Sequence, residues 1–170
     1  DGVRQAMAAE DLCHREKEFF DLQDQLRTQL IATYSLPEAE WAAVMLGGSG
    51  TTALEAMVSS LLPGNAHLLV LENGVYGERL AKLAKIHRIQ AHSLKHGWKD
   101  CWDLSMVEAE LQEGDYTHVA AVHHETTTGR LNPVIDLAKI CERAGVHLLL
   151  DTVSSFGAEQ IPFDSPSLLA

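Results

Sequence analysis

The chain has 170 residues, 46% of them hydrophobic, enough for one well-formed core and too few for two ordinary domains, so one globular unit is expected. A formal charge of -11 and a pI near 5.1 provide no basic stripe to neutralise a phosphate backbone, which excludes nucleic acid and anionic membrane as expected partners. No apolar run approaches the roughly 18 residues that span a bilayer, so a small diffusible substrate is the expected ligand.

Residues 1–20 lack the basic start and apolar centre of a signal peptide, and their helical pattern begins mid-stride, as if the N-terminus were truncated. Phe19, Leu22, Leu26 and Leu30 recur at three- and four-residue spacing within 16–34, which predicts an amphipathic packing helix with one buried stripe. Short apolar runs then alternate with helical ones. Strands are predicted at 41–46, 67–72, 89–94, 116–124 and 146–151, and helices at 52–62, 76–87, 103–112 and 133–144. Parallel neighbours need helical crossovers, so the alternation predicts a doubly wound α/β domain with a mostly parallel sheet and helices on both faces. Pro63-Gly64-Asn65, Gly97, Gly114 and Gly145 fall between elements as punctuation, and Pro133 sits near a helix start. Cys13, Cys101 and Cys141 are far apart and lack metal-ligand spacing, which favours reduced thiols in a cytoplasmic setting over disulfides or a zinc site.

Ligands of open α/β sheets collect beyond the carboxyl ends of the strands. Four polar or glycine-rich segments have that position: 47–52, 72–77, 124–130 and 151–157. In the first, Ser49, Gly50 and Thr51 open a helix whose free N–H groups and partial positive charge suit an anion such as phosphate. The same residues would also serve as a tight turn with an N-cap. Lysine does not follow Gly50, so the loop is not a Walker A motif. It does satisfy G-x-G-x-x-A, and Glu72 ends the next strand where a dinucleotide fold places its ribose-binding acid, which keeps an NAD(P)-dependent oxidoreductase open.

Asp151 closes a strongly apolar strand, so its carboxylate is expected at the sheet rim, either holding a protonated ring nitrogen or capping the turn through Ser154 or Ser155. Adjacent His123 and His124 point to opposite faces of a strand and make a poor metal pair. Thr126, Thr127 and Thr128 are short donors or ordinary turn formers before Gly129. Tyr76, between Gly74 and Gly77, would stack on a planar ligand or be simply half-buried, while Glu78 and Arg79 read as a solvated face.

Taken together and in order, "GGSGTTALEA", "ENGVYGERL", "HHETTTGRLNPV" and "LLLDTVSSFGA" resemble the large domain of a class V, fold-type I aminotransferase dependent on pyridoxal 5'-phosphate, with a three-layer α/β/α arrangement. The resemblance extends to "DLCHREKEF" and is nearest to the branch that passes an amino group from 2-aminoethylphosphonate to pyruvate, giving phosphonoacetaldehyde and alanine in phosphonate catabolism. Alanine- and serine-dependent transaminases using glyoxylate or pyruvate share the architecture. The resemblance implies that Ser49, Gly50 and Thr51 bind the cofactor phosphate, that Tyr76 stacks on its ring, and that Thr127 with Thr126 lies near its 3'-oxygen. It implies that Asp151 pairs with the pyridinium nitrogen and that Val153 sits against the other ring face. It also implies a homodimer that takes an amino donor and a 2-oxo acid.

The chain departs from the family pattern in one respect that bears on catalysis. The Schiff-base lysine of the family follows the strand that carries the aspartate, whereas Lys17, Lys82, Lys85, Lys95, Lys99 and Lys139 all precede Asp151. Residues 1–170 are therefore expected to be part of the large domain, without the N-terminal arm, the lysine segment or the small C-terminal domain, and to be inactive alone.

Overall fold

The computed structural model describes all 170 residues, which divide into two compact units, Asp1–Met45 and Leu46–Ala170, rather than the single unit that composition suggests. The first unit holds α1 (Gly2–Met7) and α2 (Lys17–Ala32). Helix α2 contains neither glycine nor proline and carries ion pairs Lys17–Asp21 and Asp24–Arg27 at four- and three-residue spacing. Its apolar stripe, predicted to pack, buries no residue: Leu22, Leu26 and Leu30 are 41%, 40% and 39% exposed. The periodicity that forms the helix is present, but no surface within the unit covers it.

The second unit contains α3 (Gly50–Leu61), β1 (His67–Glu72), α4 (Val75–Ile86), β2 (Gln90–Lys95), α5 (Leu104–Glu113), β3 (His118–Val122), β4 (His124–Glu125), β5 (Arg130–Leu131), α6 (Val134–Ala144) and β6 (His147–Asp151). Strands β2, β1, β3 and β6 lie side by side in that order and are all parallel, as the alternation of elements predicts. Residues 41–46, predicted as a fifth strand, form none, and Val44 is 80% exposed. A strand exists only where a neighbour takes its N–H and C=O groups, and this run has no ladder partner. The predicted strand 116–124 also divides: β3 ends at Val122, and β4 pairs antiparallel with β5 around a four-residue turn closed by Gly129 at φ 70°.

Strands β1, β3 and β6 are buried on both faces, as in parallel sheets, whereas the edge strand β2 is largely exposed. Leu68, Val70, Ala120, Val122 and Leu149 meet Leu54 and Val58 of α3 and Leu80, Leu83 and Ala84 of α4. The alternate residues Leu69, Leu71, Val119, Ala121, Leu148 and Leu150 are buried too, as are Val107, Leu111, Leu137 and Ile140 of the mutually packed α5 and α6. This gives three layers, helix on sheet on helix. Gly77 sets how closely α4 approaches, because a Cβ there would lie 2.9 Å from the Glu72 Cα. The three cysteines are free thiols, and burial pushes that of Cys141 up to about 12. No helix is long and apolar enough to cross a membrane.

Candidate cofactor site

At the carboxyl end of the sheet, residues of all four polar segments line one cavity of about 330 Å3, a size ordinary for a small-ligand site. Helix α3 begins there, two residues earlier than its apolar periodicity suggests, with extended Ser49 in the N-cap position. Ser49 makes no side-chain cap bond, and its hydroxyl lies 3.5 Å from that of Thr52. The first-turn amides thus have no side-chain acceptor, at the helix end whose dipole favours an anion. Ser49 and Thr51 both line the cavity. Gly50 lets α3 come close to the loop after β6: a Cβ there would sit 3.2 Å from Val153 Cγ2, a tight contact that the exposed Val153 side chain would have to relieve.

Asp151 ends β6 on the face shared with Leu149, which turns its carboxyl toward the α3 side of the sheet. It is 4% exposed and accepts a hydrogen bond from the Val153 N–H at 3.0 Å. Burial raises its pKa above the ordinary carboxylate range; the Val153 N–H lowers it, the charge of Glu125 raises it, and Arg79 lowers it. A buried carboxylate so poorly compensated favours a cationic or protonated partner inside the cavity. The predicted alternative, a turn cap through Ser154 or Ser155, is not formed: Ser154 donates to the His124 carbonyl at 3.0 Å, and Ser155 lies near the Thr152 carbonyl.

Tyr76 is half-buried in the first turn of α4 and lines the cavity. Arg79, read from sequence as a solvated residue, lies one helical turn further with its guanidinium 4.6 Å from the Tyr76 ring centre, and it donates to Thr51 Oγ1 at 3.1 Å. It is the one permanently cationic side chain among the lining residues, in a chain of net charge -11. Its spacing from Tyr76 was the available sequence signal, since positions i and i+3 share a helix face.

The histidines divide as opposite-facing neighbours should. His123 is buried, and burial lowers its pKa; His124 lines the cavity and bonds Ser154 Oγ at 2.9 Å. No group of side chains capable of holding a metal ion occurs. Thr126 lines the cavity with Val153, whereas Thr127 turns its N–H and hydroxyl to the fully buried Glu125. Sequence reasoning gave Glu125 no role. Glu72, the acid a dinucleotide site would use, instead faces Lys95 at 3.9 Å and lines a separate groove with Lys82 and Lys85. That position leaves the dinucleotide reading of "GSGTTA" without its ribose ligand.

The glycine-hydroxyl start of α3, the Tyr76-bearing first turn of α4 and the buried rim carboxylate of Asp151 thus border one cavity at the carboxyl end of a parallel sheet. The class-V aminotransferase profile matches residues 5–166, and the chain belongs to that family, with the fold-type I architecture. It is 35% identical over 153 residues to 2-aminoethylphosphonate–pyruvate transaminase from Bacillus cereus, covering 89% of this chain and 42% of that protein. Among solved structures it resembles alanine–glyoxylate aminotransferase from Nostoc sp. (TM-score 0.85, 28% identity, 96% of this chain and 43% of that one). It also resembles pyridoxamine–pyruvate aminotransferase from Mesorhizobium loti (TM-score 0.85, 25% identity, 94% and 40%). The chain thus spans about two fifths of the length of these relatives.

Proposed function

We propose that the cavity is the pyridoxal 5'-phosphate site of an aminotransferase that moves an amino group from 2-aminoethylphosphonate to pyruvate. The observation that carries this reading is the burial of Asp151 at the same cavity as the uncapped start of α3. One end calls for an anion and the other for a proton-bearing ring nitrogen, and both groups belong to one small molecule. The substrate assignment is supported by the name of the Bacillus cereus relatives at 35% identity. An alanine- or serine-dependent transaminase using glyoxylate is the second reading, favoured by the Nostoc structure at 28% identity.

Pyridoxal phosphate, when bound, supplies an electron sink for the carbon that loses its proton during amino transfer. The residues of this chain bind and orient it. Ser49, Gly50 and Thr51 receive the phosphate with hydroxyls and helix amides, and Arg79 adds its charge at Thr51. Tyr76 and Val153 would bound the ring, and Thr126 would offer a hydroxyl donor near its 3'-oxygen, while Thr127, whose hydroxyl donates to Glu125, would hold the turn that presents it. Asp151 would hold the protonated ring nitrogen, its buried carboxylate gaining a cationic partner there.

Lysine is absent from the residues lining the cavity. These residues belong to the large domain of a cytoplasmic, homodimeric aminotransferase. The test is a cofactor titration and donor panel on the full-length protein. Saturable pyridoxal phosphate absorbance with pyruvate-dependent consumption of 2-aminoethylphosphonate is expected. Alanine or serine as the only donor would replace the substrate assignment, and tight NAD(P) binding without pyridoxal phosphate binding would overturn the site.

A further inference from the structure

Glu125 is fully buried, yet no basic side chain forms a salt bridge with it. Its two oxygens are met by hydrogen-bond donors from two different loops. Oε2 accepts from the backbone N–H of Tyr76 at 3.1 Å and of Gly77 at 3.4 Å. Oε1 accepts from the N–H of Thr127 at 3.4 Å and from its hydroxyl.

Gly74 is the N-cap of α4, so Tyr76 and Gly77 occupy its second and third helical positions. Those two amides are the ones a side-chain N-cap satisfies. Gly74 has no side chain to do it, and a Cβ placed on Gly74 would overlap the Glu125 carboxyl. The backbone of Gly74 is extended, so glycine stands there for space and not for a left-handed conformation. The cap of α4 is therefore delivered from 49 residues away in sequence, by a carboxylate at the helix end whose dipole favours it.

We propose that Glu125 is a positioning residue of the cofactor site, a remote helix cap that fixes Tyr76 at the cavity with one oxygen and the Thr126–Thr127 turn with the other. The proposal rests on the pyridoxal phosphate reading of that cavity. Tyr76 carries the guanidinium of Arg79 on its ring, and Arg79 reaches Thr51, so the placement extends from Glu125 to the start of α3. A second tie joins the same two loops without involving Tyr76: Asn73 and Asn132 exchange side-chain hydrogen bonds of 2.7 and 3.3 Å, and Asn132 also donates to the Val122 carbonyl.

The test uses the full-length protein and two independent readouts. The first is the ellipticity per bound pyridoxal phosphate, which reports ring orientation. Glu125→Ala is expected to weaken cofactor binding about tenfold, as loss of a supporting residue does, and to reduce that ellipticity at saturation. Glu125→Gln, which keeps one acceptor, should lie between it and the native protein. Asn132→Ala should lower thermal stability while leaving the ellipticity per bound cofactor unchanged. The second readout is cofactor-free melting of a double-mutant cycle. Gly74→Ser should destabilise the native protein, where the new side chain meets the carboxylate, but stabilise Glu125→Ala, where there is room and its hydroxyl caps α4 locally. Equal losses from Gly74→Ser in both backgrounds would overturn the cap, and unchanged ellipticity and affinity in Glu125→Ala would overturn the positioning role. Absence of pyridoxal phosphate binding by the native protein would sink the site reading and the positioning role with it, while the melting cycle still decides the cap.

Discussion

Helices α5 and α3 begin on opposite faces of the same sheet and treat their first-turn amides in opposite ways. At α5 the chain provides its own acceptor: Asp103 takes hydrogen bonds from the Ser105 and Met106 N–H groups at 3.0 and 3.3 Å and from the Ser105 hydroxyl at 2.6 Å. At α3 the N-cap is an equally suitable residue, Ser49, whose side chain makes no such bond. The start of α5 is closed by a carboxylate, whereas the start of α3, which borders the cavity, has no side-chain acceptor and under the proposed function is where an anion would bind.

The contrast extends to two carboxylates and predicts opposite responses to pH. In Asp103 the Ser105 hydroxyl, followed by the Met106 N–H, holds the carboxyl below its usual range, whereas burial pushes Asp151 above it. The largest expected effect belongs to Asp151. Removing one partner of a buried charge pair costs about 3–5 kcal/mol, or roughly a 10^2- to 4 × 10^3-fold loss of affinity, so Asp151→Ala should release pyridoxal phosphate to that extent. Equilibrium dialysis of the full-length variant, with its fold checked by circular dichroism, measures it; native affinity would remove Asp151 from the site. Without cofactor the sign reverses. A carboxyl with a raised folded pKa favours the fold while protonated and loses that contribution as pH rises through the folded value. Asp151→Asn should therefore stabilise the cofactor-free protein at pH about 7 more than at pH about 4.

Arg79 comes next, because it decides whether the open end of α3 depends on helix amides alone. A hydrogen bond to a charged group contributes about 1.5–3 kcal/mol, so Arg79→Ala should weaken cofactor binding roughly ten- to hundredfold. Arg79→Lys retains the charge but not the flat contact with Tyr76, and should recover most of the affinity with a few-fold deficit of about the cation–π contribution. Equal behaviour of the alanine and lysine variants would show that charge at Thr51 is immaterial. Weaker inhibition of cofactor binding by free inorganic phosphate in Arg79→Ala would place the defect at the anion end.

The difference between these two helix starts was only half legible in the sequence. Short-range signals read well: the alternation of apolar runs gave the parallel sheet, and the glycines and hydroxyls of 47–52 together with Asp151 marked the rim. Pair properties did not. Residues 41–46 have the composition of a strand, but pairing depends on a partner that no local pattern specifies. The stripe on α2 has helical spacing, yet spacing cannot tell whether anything covers it. Glu125 reaches α4 across 48 and 49 positions, and in a sequence it looks like the end of a strand. Arg79 lay within reach of the helical wheel, since it shares a face with Tyr76, but its polarity suggested solvent. What local reading misses here is which side chain completes which distant backbone.

The smallest effect tests the closed side of the comparison. Asp103→Ala should lower the melting temperature by a few degrees, about 4 °C at most, because Asp103 is exposed and the core beneath α5 is retained. Its pH dependence carries more information than its size. A carboxyl with a depressed folded pKa contributes fully above its unfolded value near 4 and loses that contribution as pH falls through the folded value, so the native and variant melting curves should converge in acid. Cofactor affinity should be unchanged, since Asp103 caps a helix that packs against α6 on the face opposite α3 and α4. Asp103→Asn keeps an acceptor without charge and should recover part of the loss at neutral pH, and its smaller deficit against the native protein should likewise close in acid. If Asp103→Ala weakened pyridoxal phosphate binding as much as Arg79→Ala, the two helix starts would be energetically coupled through the sheet, and the division into a structural and a binding terminus would fail.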